Sequence, residues 1–184
     1  MFRRKESQRA RERATEYATC KDFREVFTED MAGLYLLAYL LTANAAKAEE
    51  CFVSGLEDSL HGNQVFRQWA RAWSKRAIIQ SAVRMMATEL GANAAAEPAD
   101  TPENPLLALV MRWKPFERFV FVMSVLEGYS VRECSSLLGS RDQDVIATKS
   151  QVLQRLANES ARAESKVDVR CSSWNGLFAP AQVA

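Results

Sequence analysis

Between Phe119 and Leu156 the apolar residues recur at helical spacing, and that rhythm is broken in two places. The face formed by Phe119, Val122, Met123 and Leu126 stops at Glu127-Gly128-Tyr129. A glycine there suits the left-handed residue that follows a helix end. Ser130 is a good N-cap, and Glu133 three residues later completes a capping-box pattern. A short helix, Val131 to Leu138, would then bury Val131, Cys134, Leu137 and Leu138. Gly139 makes the second break. Beyond it Asp142 is placed to cap a longer helix carrying Val145, Val152, Leu153 and Leu156. Short helix, glycine turn, longer helix is the helix-turn-helix arrangement. It constrains structure more than function, because the same arrangement also serves as plain scaffold.

Elsewhere the apolar spacing is again helical and β-branched alternation is scarce, so the expected fold class is all-α, two small helical domains joined by a linker. Residues 1–20 are a charged, arginine-rich extension. Residues 21–90 form the first helical unit. Residues 91–105, "GANAAAEPADTPENP", have the small, polar, proline-bearing composition of a linker. Residues 106–160 form the second unit, and 161–184 are a tail whose end, "CSSWNGLFAPAQVA", has no clear period. In the first unit Asp30 can cap a helix with the face Leu34, Leu37, Leu41, and Asn44 can cap the next, to about Leu60. His61 to Gln64 reads as a turn, and a longer helix runs from near Gln64 to about Leu90.

Charge divides the first unit. Acids outnumber bases from 21 to 60, whereas 61 to 88 contain no acid and carry Arg67, Arg71, Lys75, Arg76 and Arg84. Arg67, Arg71 and Lys75 are four apart and share one stripe of a helix. Trp69 and Trp73 are four apart on a different face. Cations beside aromatic rings suit a strand of nucleic acid, phosphates pairing with the cations and bases stacking on the rings. The competing reading makes Phe66, Trp69 and Trp73 a core-facing stripe with a solvated basic face beside it.

Composition removes several function classes. The chain has 184 residues, a formal net charge of +1 and 48% hydrophobic residues, enough for a core and not a polycation as a whole. Cys20, Cys51, Cys134 and Cys171 are scattered, with no CxxC pair, and the lone His61 is near none of them. Idle thiols fit better than a metal site or disulfides, and no metal or other cofactor is expected. No GxSxG, phosphate-cradling glycine loop or HExxH occurs, so an enzyme with a small-molecule substrate is not expected. The apolar run Met31 to Leu41 is too short to span a bilayer, and the N-terminus has no apolar signal core. The expected compartment is the cytoplasm, without a membrane partner.

Taken together, the two units resemble a bacterial RNA polymerase sigma factor of the small, extracytoplasmic-function type, over roughly residues 20 to 160. "LYLLAYLLTANAAKAEE" is similar to the opening of that family's region two. "FRQWARAWSKRAIIQSAVR" is similar to its tryptophan-bearing basic helix, and "ERFVFVMSVLEGYSVRECSSLLG" to region four. The resemblance implies a transcription initiation factor whose partners are core RNA polymerase and promoter DNA, with an anti-sigma factor a further candidate. It implies polymerase contact by Glu49 and Glu50. Arg67, Trp69, Arg71, Lys75, Arg76 and Arg84 would lie in or near the promoter-melting helix. Ser130, which opens the helix-turn-helix, would also be DNA-binding, and Arg141, Gln143, Thr148 and Lys149 would lie on the recognition helix.

The chain also departs from the family pattern. Val53 and Ser54 stand where a glutamine and a further acid are usual, and Arg76 and Gln80 where an asparagine and an aspartate are usual. The recognition helix reads Asp144, Val145, Ile146, Ala147, Thr148 in place of threonine, valine, lysine, serine, arginine. Each lost cation would have neutralised a phosphate. A second reading is therefore a diverged sigma-like interaction module that binds polymerase, an anti-sigma partner or itself without promoter recognition.

Overall fold

In the computed structural model the described residues are 16–61, 64–91 and 104–175, and for 91, 105, 106 and 160–175 the backbone alone is described. The described chain is mostly helical, as the spacing predicts. Its only β-pairing among the described residues is an isolated antiparallel bridge between Tyr17 and Phe66.

Helix α1 is Cys20–Glu29. Thr19 caps it, and Asp22 reciprocates by accepting from the Thr19 N–H at 2.8 Å, a capping box. Helix α2, Met31–Thr42, is nearly all apolar and buries Leu34, Leu37, Leu40 and Leu41. It ends at Ala43, a non-glycine residue in the left-handed region with φ 53°. Helix α3 is Ala45–Leu60, and Asn44 Oδ1 caps it by accepting from the Lys47 N–H at 3.0 Å. His61 closes α3 as the expected turn residue, its N–H donating to the Glu57 carbonyl at 3.1 Å.

The basic segment forms three pieces rather than one long helix. They are a 3-10 turn at Arg67–Trp69, α4 at Ala70–Met85 and a short α5 at Ala87–Gly91. Gly55 explains how closely α3 and α4 pack. A Cβ at that position would lie 2.6 Å from Ile78 Cγ1 and 3.1 Å from Ile78 Cα, so only hydrogen fits.

The second unit begins with α6, Pro105–Met111, and α7, Pro115–Phe121. Proline at the first position of α7 has its fixed φ already suited to the helix. From Val122 to Leu126 the helix widens to a π-turn, the Glu127 N–H reaching the Val122 carbonyl at 2.9 Å. That widening turns Leu126 outward, 51% exposed, although it shares the expected apolar face with the buried Phe119, Val122 and Met123. Helix α8 is Val131–Leu138 and helix α9 is Asp142–Asn175. The α9 backbone thus continues well past residue 160, the expected end of the second unit. Gly139, at φ 61°, makes the turn between them, a conformation that L side chains rarely adopt.

The units are not separated by solvent. One buried cluster runs from Phe27, Leu34 and Leu41 through Ile78 and Met86 to Phe119, Met123, Val145 and Val152. Arg118 on α7 is fully buried in it. Its Nε and Nη2 donate to the Leu41 carbonyl of α2 at 3.2 and 3.1 Å, and its Nη1 to the Trp113 carbonyl at 3.1 Å. Burial, opposed by the charge of Glu89, pulls its pKa down to about 10, so it stays protonated at neutral pH. A smaller cluster of Phe23, Val65 and Ala70, with Trp73 against it, fastens α1 to the start of α4. No helix among the described residues is long and apolar enough to cross a membrane.

Candidate nucleic-acid interface

The helix-turn-helix forms as its residues predict. Ser130 Oγ and N–H both donate to Glu133 Oε2, at 2.6 and 2.9 Å, and the Glu133 N–H returns a bond to Ser130 Oγ at 3.3 Å. Those bonds, with a smaller contribution from Arg76, hold the Glu133 carboxyl below its ordinary pKa. Ser130 therefore acts here as a cap. Cys134, Val145 and Val152 pack the inner side of the motif with no exposed surface. Leu153, expected inside, is 42% exposed.

Asp142 does something other than cap its own helix. Its Oδ1 accepts from the Ser135 hydroxyl of α8, tying the two helices of the motif together. With Asp144 it also places two carboxylates in the first turn of α9, where the helix dipole favours them. Arg141, one residue before α9, and Gln143 on it are exposed, and Thr148 is half-buried. Lys149 is half-buried too, and its Nζ donates back to the Ser124 carbonyl at 3.3 Å. The outward surface of α9 includes Ile146, 52% exposed, alongside Asp144, Ala147 and Ser150.

The basic stripe of the first unit is largely occupied by acids of the same chain. Arg67 Nε meets Asp22 at 2.8 Å. Arg71 meets Asp30 at 2.8 Å and Glu29 at 3.9 Å. Asp30 begins α2 but makes no side-chain cap bond, because its carboxylate is turned to Arg71. Arg84 pairs with Asp58. Lys75 reaches across to the second unit and donates to both oxygens of Glu127, at 3.1 and 2.8 Å. Arg76 is half-buried and has no hydrogen-bond or ion-pair partner among the described residues.

The two tryptophans divide between the two expectations. Trp69 is 55% exposed, its ring edge against Phe66, which itself stacks on Tyr17 at 5.0 Å. Trp73 is half-buried against the Phe23 cluster. Glu49 and Glu50 are exposed on α3, and Val53 and Glu57 continue that exposed face one and two turns on.

Sequence reasoning missed the contacts that join the units. The partners of Arg118 and Lys75 lie 77 and 52 residues away, beyond any local pattern. The only local hint was an arginine within an apolar run, at Phe116-Glu117-Arg118-Phe119. Among the described residues no group of three or more His, Cys, Asp or Glu side chains could hold a metal ion. Cys51 is buried, and desolvation pushes its thiol up to about 11, while Cys134 is likewise buried and raised. No model of a known protein family matches the chain, and no curated protein matches it.

Proposed function

We propose that the chain is a sigma-like transcription initiation factor that binds core RNA polymerase and promoter DNA and performs no chemistry itself. The observation that carries this reading is the helix-turn-helix, with its reciprocal Ser130–Glu133 cap and left-handed Gly139. An exposed tryptophan at the mouth of a basic helix, and the exposed acids Glu49 and Glu50 on α3, are the further features that such a factor would use. Phosphates would meet Arg67, Arg71, Lys75 and Arg84 in the first unit and Arg141 in the second, with Gln143 and Thr148 near base edges. Polymerase would take the α3 face. The decisive experiment is co-purification with core polymerase combined with promoter-dependent transcription. Folded protein that shows neither overturns the proposal.

One set of contacts favours the second reading, an interaction module of sigma-like architecture without promoter recognition. Four of the five cations of the basic segment are paired inside the chain, Lys149 is spent on a carbonyl, and Ile146 occupies the outward face of α9. A salt titration of DNA binding separates the two readings. A DNA-binding factor loses affinity steeply as salt rises, whereas a protein-binding module has little DNA affinity at any salt.

A further inference from the structure

The seam between the units opens into a cleft of about 480 Å³. Trp69, Trp73 and Arg76 form its wall on the first unit, and Gly128, Tyr129 and Glu133 its wall on the second. That volume lies in the range of small-molecule sites, which combine apolar surface with a few converging polar groups. The charges at the cleft divide into spent and unspent. Lys75 and Glu127 satisfy each other. Among the described residues Arg76 has no hydrogen-bond or ion-pair partner, and Glu133 commits only Oε2 to the Ser130 cap, leaving Oε1 without a hydrogen bond there. The two unspent groups are of opposite sign and stand on opposite walls, close enough for the field of Arg76 to act on Glu133 but not paired. Trp69, Trp73 and Tyr129 line the same cleft.

We propose that this cleft binds a small aromatic zwitterion, in chemical class an aromatic α-amino acid. Its carboxylate lies on the Arg76 guanidinium, its ammonium on Glu133 Oε1, and its ring against Trp69, Trp73 and Tyr129. The arrangement gives the ligand's carboxylate an otherwise unbonded guanidinium and its ammonium the carboxylate oxygen that the cap leaves open, and a guanidinium binds carboxylate as a planar fork. A ligand with one of the two charges forgoes one of the two charge-assisted bonds, which disfavours it. Because the walls belong to different units, the bound ligand also clasps the seam. This inference is independent of whether the chain binds DNA.

The test uses the full chain and three probes with the same ring: L-phenylalanine, 3-phenylpropanoate, which lacks the ammonium, and 2-phenylethylamine, which lacks the carboxylate. Binding is read from tryptophan emission, which the probes do not share. Phenylalanine should bind about tenfold or more tighter than either single-charge probe, the value of one charge-assisted bond. Arg76→Gln should abolish its advantage over 2-phenylethylamine. Glu133→Gln, which keeps the capping box, should abolish its advantage over 3-phenylpropanoate. Circular dichroism establishes that each variant is folded, and either variant alone suffices for the comparison. The proposal is overturned by the absence of any saturable change with phenylalanine up to about 10 mM, well into the weak-binding range. Equal binding of the three probes, or selectivity unchanged in a folded variant, overturns it as well.

Discussion

Arg118 shows how much one side chain can bind together. It is fully buried and meets no carboxylate; carbonyl oxygens of Leu41 and Trp113 take its donors instead. A buried charge held by carbonyl dipoles is tolerable only while those bonds are intact. Arg118→Ala removes the donors, strands two carbonyls and leaves a cavity at the seam. The expected loss is about 3 kcal/mol, read from the midpoint of urea unfolding. A loss of under about 0.5 kcal/mol would mean that the site behaves as surface. Glu133 makes a different residue-scale case, because it is solvent-exposed and acts through its protonation state. Its carboxyl is held below the ordinary value, chiefly by the Ser130 hydroxyl and N–H. The stability it contributes is therefore complete above the ordinary carboxylate range and is lost as pH falls through the lowered value. Urea midpoints measured from neutral to acid pH should fall less for Glu133→Gln than for the unaltered chain. Parallel curves would remove Glu133 from the acid response.

At the scale of elements, what was legible in the sequence was what is local. Asn44, Ser130, Glu133 and Gly139 fulfil their expected roles because a cap or a turn is decided within four residues. Asp30 and Asp142 looked equally suited to capping, yet Arg71 and Ser135 draw their carboxylates away, and those partners come from other helices. The periodic pattern likewise grouped Leu126 and Leu153 with residues that are buried, because it takes each helix as uniform and ignores the π-turn. Gly55 was silent in the sequence for the same reason. Its role exists only once α3 and α4 meet. Gly55→Ala would push a methyl group to 2.6 Å from Ile78 Cγ1 and 3.1 Å from Ile78 Cα, a clash that a rotamer change relieves only in part. Destabilisation of about 1–3 kcal/mol is expected by thermal unfolding. Glu57→Ala, on the exposed face of the same helix, should stay within about 0.5 kcal/mol. Equal effects of the two changes would show that the helices do not pack this closely.

For the whole molecule, the question is what the joined units do to the basic surface. The composition of residues 61–88 described a cationic segment correctly, but the structure sets most of those cations against acids of α1, α2, α3 and the second unit. Most of these pairs are solvent-exposed and cost little to exchange for phosphate. Lys75–Glu127 differs. Its side chains are 34% and 16% exposed, and it spans the seam, so a phosphate that claims Lys75 must also displace the second unit's carboxylate. On the transcription-factor reading this pair competes with DNA. Glu127→Gln removes the competitor while keeping nearly the same shape and volume. DNA affinity should then rise by about threefold to tenfold, as expected when one charge pair worth roughly 1 kcal/mol no longer has to be broken. The dependence of log affinity on log salt should steepen by about one phosphate contact, because Lys75 is then free to make it. Adding Lys75→Ala to the same chain should cancel both changes, since the effect runs through that ammonium. If Glu127→Gln leaves affinity and salt slope as they were, then DNA does not compete for Lys75. The seam is in that case a fixed part of the core, and the interaction-module reading gains accordingly.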